Sequence, residues 1–162
     1  MPATLMFLCG KMAAGKSTLS RQLAERADAV LLVQDEFLAT LFPGEIVDIP
    51  AFVERYARVK AALAPHIRAL LAKDVSVVLD FAGNTRTQRA WFRELVEGTG
   101  ARLELHFVEA SDALCKRQLK QRSAHLPEGT PWTTEADFDA ITALFEAPAD
   151  NEGFTVIRHP RG

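Results

Sequence analysis

Short apolar runs alternate with longer amphipathic stretches along the chain. Leu5 to Cys9 is continuously apolar and closed by Gly10, the pattern of a strand buried on both faces. Ala29 to Val33 and Val75 to Leu79 repeat that pattern, and each ends at carboxylates, Asp35-Glu36 and Asp80 respectively. Between the first two runs, Lys16 to Ala27 sets Leu19, Leu23 and Ala27 four apart on one helical face. Ala51 to Ala72 predicts a long helix that Pro65 should kink or split. After the third strand a helix is expected, capped by Asn84 or Thr85 and stopped by Gly98. Arg102 to Val108 reads as a fourth strand, followed by a Ser111-capped helix carrying Lys116, Arg117, Lys120 and Arg122. A short helix near 135–145 and a strand near 154–158 complete the pattern. Strands alternating with helices predict a parallel sheet with helices on both faces, joined by right-handed crossovers, with ligands at the carboxyl ends of the strands.

Composition narrows the class. The 162 residues carry a formal net charge of -2 and are expected to form a single domain, 1–162. Such a balance carries no large basic excess to advertise a nucleic-acid surface. Cys9 and Cys115 do not make a disulfide framework, which favours a reducing, cytoplasmic location, and neither a secretory leader nor a membrane span is expected. Oligomeric state is not encoded in any pattern we recognise.

Gly10-Lys11-Met12-Ala13-Ala14-Gly15-Lys16-Ser17 satisfies G-x-x-x-x-G-K-[ST] between a predicted buried strand and a predicted helix. The glycines allow main-chain N–H groups to close on phosphate oxygens, and the helix that begins at Lys16-Ser17-Thr18 presents its N-terminus to the same anion. Lys16 would reach the β- and γ-phosphates and the Ser17 hydroxyl would bind Mg²⁺. Without an Asn-Lys-x-Asp guanine reader, ATP is the expected nucleotide.

Asp35, just past the second strand, is placed to orient an acceptor hydroxyl and take its proton, or to cap the helix starting at Glu36. Asp80 reads as a Mg²⁺-holding carboxylate or a strand terminator. Arg86 and Arg89, three apart on the next helix, would hold the acceptor or solvate the helix. Residues 124–135, with two prolines, a glycine and three threonines, predict a loop of functional length, so the segment at about 117–136 is expected to act as a small lid bearing Arg122 and Arg117. His125 falls in that segment, whereas His66 and His106 read as structural. Phe37, Leu41, Phe42, Ile46, Ile49 and Phe52 offer an acceptor pocket with a nonpolar face, or simply pack the core.

Taken in order, Gly10–Ser17, Asp35, "VVLDFAGNTRTQR", the Arg-bearing segment 117–122 and "FEAPADNEGFTVI" resemble the small P-loop kinases over nearly the whole chain. This group includes chloramphenicol phosphotransferase, zeta toxins, gluconate and shikimate kinases and the polynucleotide 5′-kinase domain. The resemblance implies a three-layer αβα P-loop NTPase fold with a five-stranded parallel sheet in the order 2-3-1-4-5. It further implies Mg-ATP as donor, Asp35 as general base, Arg122 and Arg117 as lid arginines, and Pro148–Glu152 near the adenine. Many relatives carry an arginine three positions after that aspartate, where this chain has Leu38, so acceptor recognition departs from theirs. The expected function is transfer of the γ-phosphoryl of Mg-ATP to a hydroxyl of a small molecule such as a sugar, nucleoside or antibiotic. A polynucleotide 5′-hydroxyl kinase and a regulatory ATP-binding module are the alternatives.

Overall fold

The computed structural model describes residues 2–161. Strands β1 (Thr4–Cys9), β2 (Val30–Val33), β3 (Val77–Asp80), β4 (Arg102–Ala110) and β5 (Thr155–Arg161) form one parallel sheet in the order β2-β3-β1-β4-β5, as the resemblance implies. Helices α1 (Lys16–Ala27), α2 (Gln34–Leu41), α3 (Ile49–Ala72), α4 (Arg86–Val96), α5 (Asp112–Ser123) and α6 (Glu135–Thr142) cover its two faces.

The central strand explains the layering. Side chains alternate across a strand, so Leu5, Phe7 and Cys9 enter the core beneath α3 and α4, while Met6 and Leu8 pack on Leu23 of α1. All five are buried, which accounts for an apolar run without alternation. A third cluster, Val108 with Cys115, Leu119 and Phe138, seats α5 and α6 beside the end of β4.

Pro65 does not divide the long helix: α3 runs unbroken from Ile49 to Ala72. The ring is exposed, and Ile67 and Leu71 beyond it are fully buried, so packing on both sides of the proline outweighs the lost main-chain hydrogen bond. Asp48 caps this helix, its Oδ1 accepting from Ala51 N at 2.8 Å. The last strand is longer than the apolar pattern predicts because pairing with β4 continues to Ala110↔Arg161. Pro160 is tolerated there because β5 lies at the sheet's edge.

Gly83, after β3, lets two strands close together: a Cβ built there would lie 2.8 Å from Leu8 O and 3.2 Å from Phe7 Cδ2. A carbonyl in the central strand cannot swing aside. Gly83→Ala is therefore expected to lower stability by about 1–3 kcal/mol, read from thermal or urea unfolding. An unaltered midpoint would show that the approach is looser than drawn here.

Candidate functional site

In the loop joining β1 to α1, Ala13 (φ 61) and Gly15 (φ 107) both occupy the left-handed region, the kind of turn from which anion-binding concavities of N–H groups are built. Ala14 N donates within the loop, to Lys11 O at 3.1 Å. At Gly15 a Cβ would collide with the Arg161 guanidinium. Two features set this helix start apart. Thr85, Ser111 and Thr134 cap α4, α5 and α6 with their side chains, whereas α1 has neither a side-chain cap nor an acid in its first turn. Its first N–H groups are thus left to a ligand. The loop is braced from outside: Gly10 N donates to Asn84 Oδ1 at 2.9 Å, and Arg161 Nη1 donates to Ala14 O at 2.7 Å.

Lys16 Nζ donates to Gly10 O at 2.5 Å and Lys11 O at 2.9 Å, so its ammonium lies across the loop. Burial pulls its pKa below 10.5, opposed chiefly by the charge of Asp80. Asp80, at the end of β3, is pushed above 3.8 by burial, with Lys16 acting the other way. Ser20 Oγ donates to Asp80 Oδ2 at 3.4 Å, and the Ser17 hydroxyl lies near enough to favour the charged form of this carboxylate. Ser17 and Asp80 thus bring two hard oxygen donors together beside the loop, a donor set that fits Mg²⁺, which takes few protein ligands and completes its shell with phosphate and water. Among the described residues no three His, Cys, Asp or Glu side chains converge on a metal position. Lys11 Nζ turns away to pair with Asp112 at 2.6 Å, while Met12, Ala13 and Ala14 pack against the α5–α6 cluster. Thr18 is exposed in the first turn of α1.

Helix α2 begins at Gln34 with Val33 in the cap position, so Asp35 sits in the first turn and is not the cap. The helix starts earlier than the polar pattern predicts because buried Gln34 is anchored: its Oε1 accepts from Ala82 N at 2.7 Å while its Nε2 donates to Asp35 Oδ1 at 3.3 Å. The end of β3 therefore fixes Asp35 through Gln34.

A cavity of about 670 Å³ joins these groups. Its wall carries the charged Lys11, Lys16, Asp35, Asp80 and Arg122, the last three near enough to Lys16 to act on its charge, the polar Gln34, Asn84, Thr85, Gln88 and Thr142, and apolar side chains that include Leu38, Phe42, Ile49, Phe52, Phe81 and Phe145. The 124–134 loop covers part of it, with Trp132 Nε1 donating to Ile46 O at 3.4 Å. Arg122 is close enough for its charge to oppose protonation of Lys16. Arg117 and His125 are exposed and outside the cavity wall.

Two expectations need correction. Arg89 neither solvates its helix nor faces an acceptor: it is fully buried and bonded to Glu152 and Gly83 O. Arg86 points to Asn151, at 3.1 Å, and away from the cavity. Pro148–Glu152 accordingly packs against α4 as a strut, with Glu152 engaged by Arg89. His66 is exposed, and His106 is buried with Nδ1 3.0 Å from His159 Nε2. Burial pushes the Cys9 thiol up to about 11, which keeps it protonated and non-nucleophilic. The sequence carried no signal for Arg161, Gln34 or Trp132, whose partners are distant in sequence or main-chain atoms; Asn84 was visible only as a cap candidate.

The profile of a family described as "AAA domain" matches residues 5–148. No curated protein matches the chain. Among solved structures, a candidate kinase of Chloroflexus aurantiacus superposes with a TM-score of 0.76 at 19% identity, over 99% of this chain and 89% of that one. A sugar kinase of Janibacter sp. gives 0.67 at 18%, over 98% and 86%. Kti12 of Chaetomium thermophilum, solved with ADP-AlF3, gives 0.68 at 14%, over 95% and 88%. At such identities the likeness is one of fold. Among the described residues no helix is long and apolar enough to cross a membrane.

Proposed function

Because the chain belongs to the AAA domain family and has the fold of the small P-loop kinases, we propose that it is an ATP-dependent phosphotransferase acting on a hydroxyl of a small molecule. One observation carries this reading: the loop lysine, two carboxylates and Arg122 line the same end of a cavity whose remainder is large enough for an acceptor.

The roles follow from chemistry. The loop amides between Lys11 and Gly15 that are not bonded within the protein, together with the α1 N-terminus, would take the phosphates, Lys16 exchanging its two carbonyl bonds for phosphate oxygens. Ser17 and Asp80 would hold Mg²⁺, which would supply charge neutralisation at the phosphate tail. Asp35 accepts the proton of the acceptor hydroxyl as its oxygen forms a bond to the γ-phosphorus; the bond from that phosphorus to the β–γ bridging oxygen breaks, leaving ADP and a phosphomonoester. Arg122 stabilises the transferring phosphoryl. Arg117 would join it only if the 117–136 segment moved. The acceptor end of the cavity carries no Lys or Arg, which favours a small molecule over a polynucleotide 5′-end.

The direct test is ADP release from Mg-ATP, coupled to appearance of a phosphomonoester, across a panel of alcohols. Lys16→Ala should weaken Mg-ATP binding by at least about tenfold, because it removes a cationic hydrogen-bond donor. Equal nucleotide affinity in that variant would overturn the proposal.

A further inference from the structure

We infer that the acceptor is an uncharged alcohol with a substantially apolar body, which excludes sugar acids and phosphorylated sugars and ranks polyhydroxylated sugars below it. The inference rests on the kinase reading for the identity of the reaction, and on the cavity alone for the class of ligand.

Every cation in the cavity wall belongs to the phosphate end: Lys11 and Lys16 lie in the loop, and Arg122 is close enough to act electrostatically on Lys16. An acceptor carboxylate or phosphate in the remaining chamber would meet Leu38, Phe42, Phe52, Phe81 and Phe145, and would lose its hydration with no counter-charge. The arginines around that wall are already paired: Arg55 and Arg58, which lie over the Phe42 ring, hold Glu45 and Glu54, Arg89 is consumed by Glu152, and Arg86 faces Asn151. Gln34, Asn84, Thr85 and Gln88 also line the cavity, but they are largely bonded to Ala82 N, Asp35, Gly10 N and one another, so the several hydroxyls of a sugar would find few partners there.

The rim points the same way. Val47, Val53 and Leu144 are 60%, 59% and 53% exposed, and all three border the cavity. Such apolar side chains at a mouth gain from covering an apolar ligand.

The test titrates benzyl alcohol, 3-phenyl-1-propanol and 4-phenyl-1-butanol against D-glucose and D-gluconate in the full chain with Mg-ATP. Binding is read from tryptophan fluorescence and transfer from phosphomonoester formation. Trp132 borders the cavity, whereas Trp91 packs in the core. Affinity should rise about three- to fourfold for each added methylene, with glucose and gluconate bound at least about tenfold more weakly than the longest alcohol. Leu144→Glu, which charges the exposed rim, should flatten that dependence, with circular dichroism as the check on folding. Gluconate or glucose bound as tightly as the phenyl alcohols, or an affinity indifferent to chain length, would overturn the inference. Glucose or gluconate phosphorylated in preference would sink it while leaving the kinase reading intact. Phenyl alcohols bound with the expected dependence but never esterified would support the ligand class and remove the kinase reading.

Discussion

Asp35→Asn is expected to keep Mg-ATP affinity close to that of the unaltered protein and to lose about 10²–10⁴-fold in kcat for acceptor phosphorylation, the range supplied by a positioned general base. The substitution keeps size and an oxygen that can accept from Gln34 Nε2, so the hydrogen bond that fixes the side chain survives. It removes the capacity to hold the acceptor proton. A competing account makes Asp35 a helix-stabilising acid, since it lies in the first turn of α2. That contribution is about 0.3–1 kcal/mol of stability, far too little to change turnover a hundredfold in a protein that remains folded. The two accounts therefore separate in one pair of measurements. A small fall in Tm with normal kcat leaves Asp35 a structural acid; a large fall in kcat with normal nucleotide binding identifies the base.

What could be read ahead of the coordinates followed interaction range. The phosphate loop and the two strand-ending carboxylates are local patterns, fixed by neighbours a few residues away, and the sheet's apolar runs announced themselves because β1 and β3 are buried on both faces. The polar network behind the site was illegible for the opposite reason. Arg89 sits three residues from Arg86 on a helix full of charge and polar groups, where the ordinary expectation is solvent. Its partner Glu152 lies 63 residues further on, and no periodicity reports a pair at that separation. Arg161 reaches the loop from 147 residues away, onto a carbonyl that every sequence possesses. Pro65 misled for a different reason: propensity is local, while the packing that overrides it is not.

Arg89 is also the residue whose replacement should harm stability most. It is 0% exposed, and Glu152 is 7% exposed. Arg89 Nε donates to Glu152 Oε1 at 2.8 Å and Nη2 to Oε2 at 3.1 Å, while Nη1 donates to Gly83 O at 3.0 Å and lies 3.9 Å from Cys9 Sγ. Glu152 Oε2 also accepts from Ala149 N at 2.9 Å. One guanidinium thus binds the end of β1, the turn after β3 and the segment before β5. Removing either partner leaves the other charge buried and uncompensated, so Arg89→Ala or Glu152→Ala should each cost about 3–5 kcal/mol. The double variant Arg89→Met/Glu152→Leu should cost markedly less than the two singles added, because no charge is stranded. Burial raises the Glu152 carboxyl, but the bonds and charge of Arg89 outweigh it and hold the pKa below 4.5. A depressed carboxyl pKa stabilises the fold above its unfolded value, and that stability drains away as pH falls from about 4.5 through the folded value. Urea unfolding between pH 7 and pH 3 should show this slope in the unaltered protein, and a shallower one in Glu152→Gln. Equal slopes would mean that the pair is not the acid-sensitive element of this fold, and additive single costs would mean that its two charges do not depend on each other.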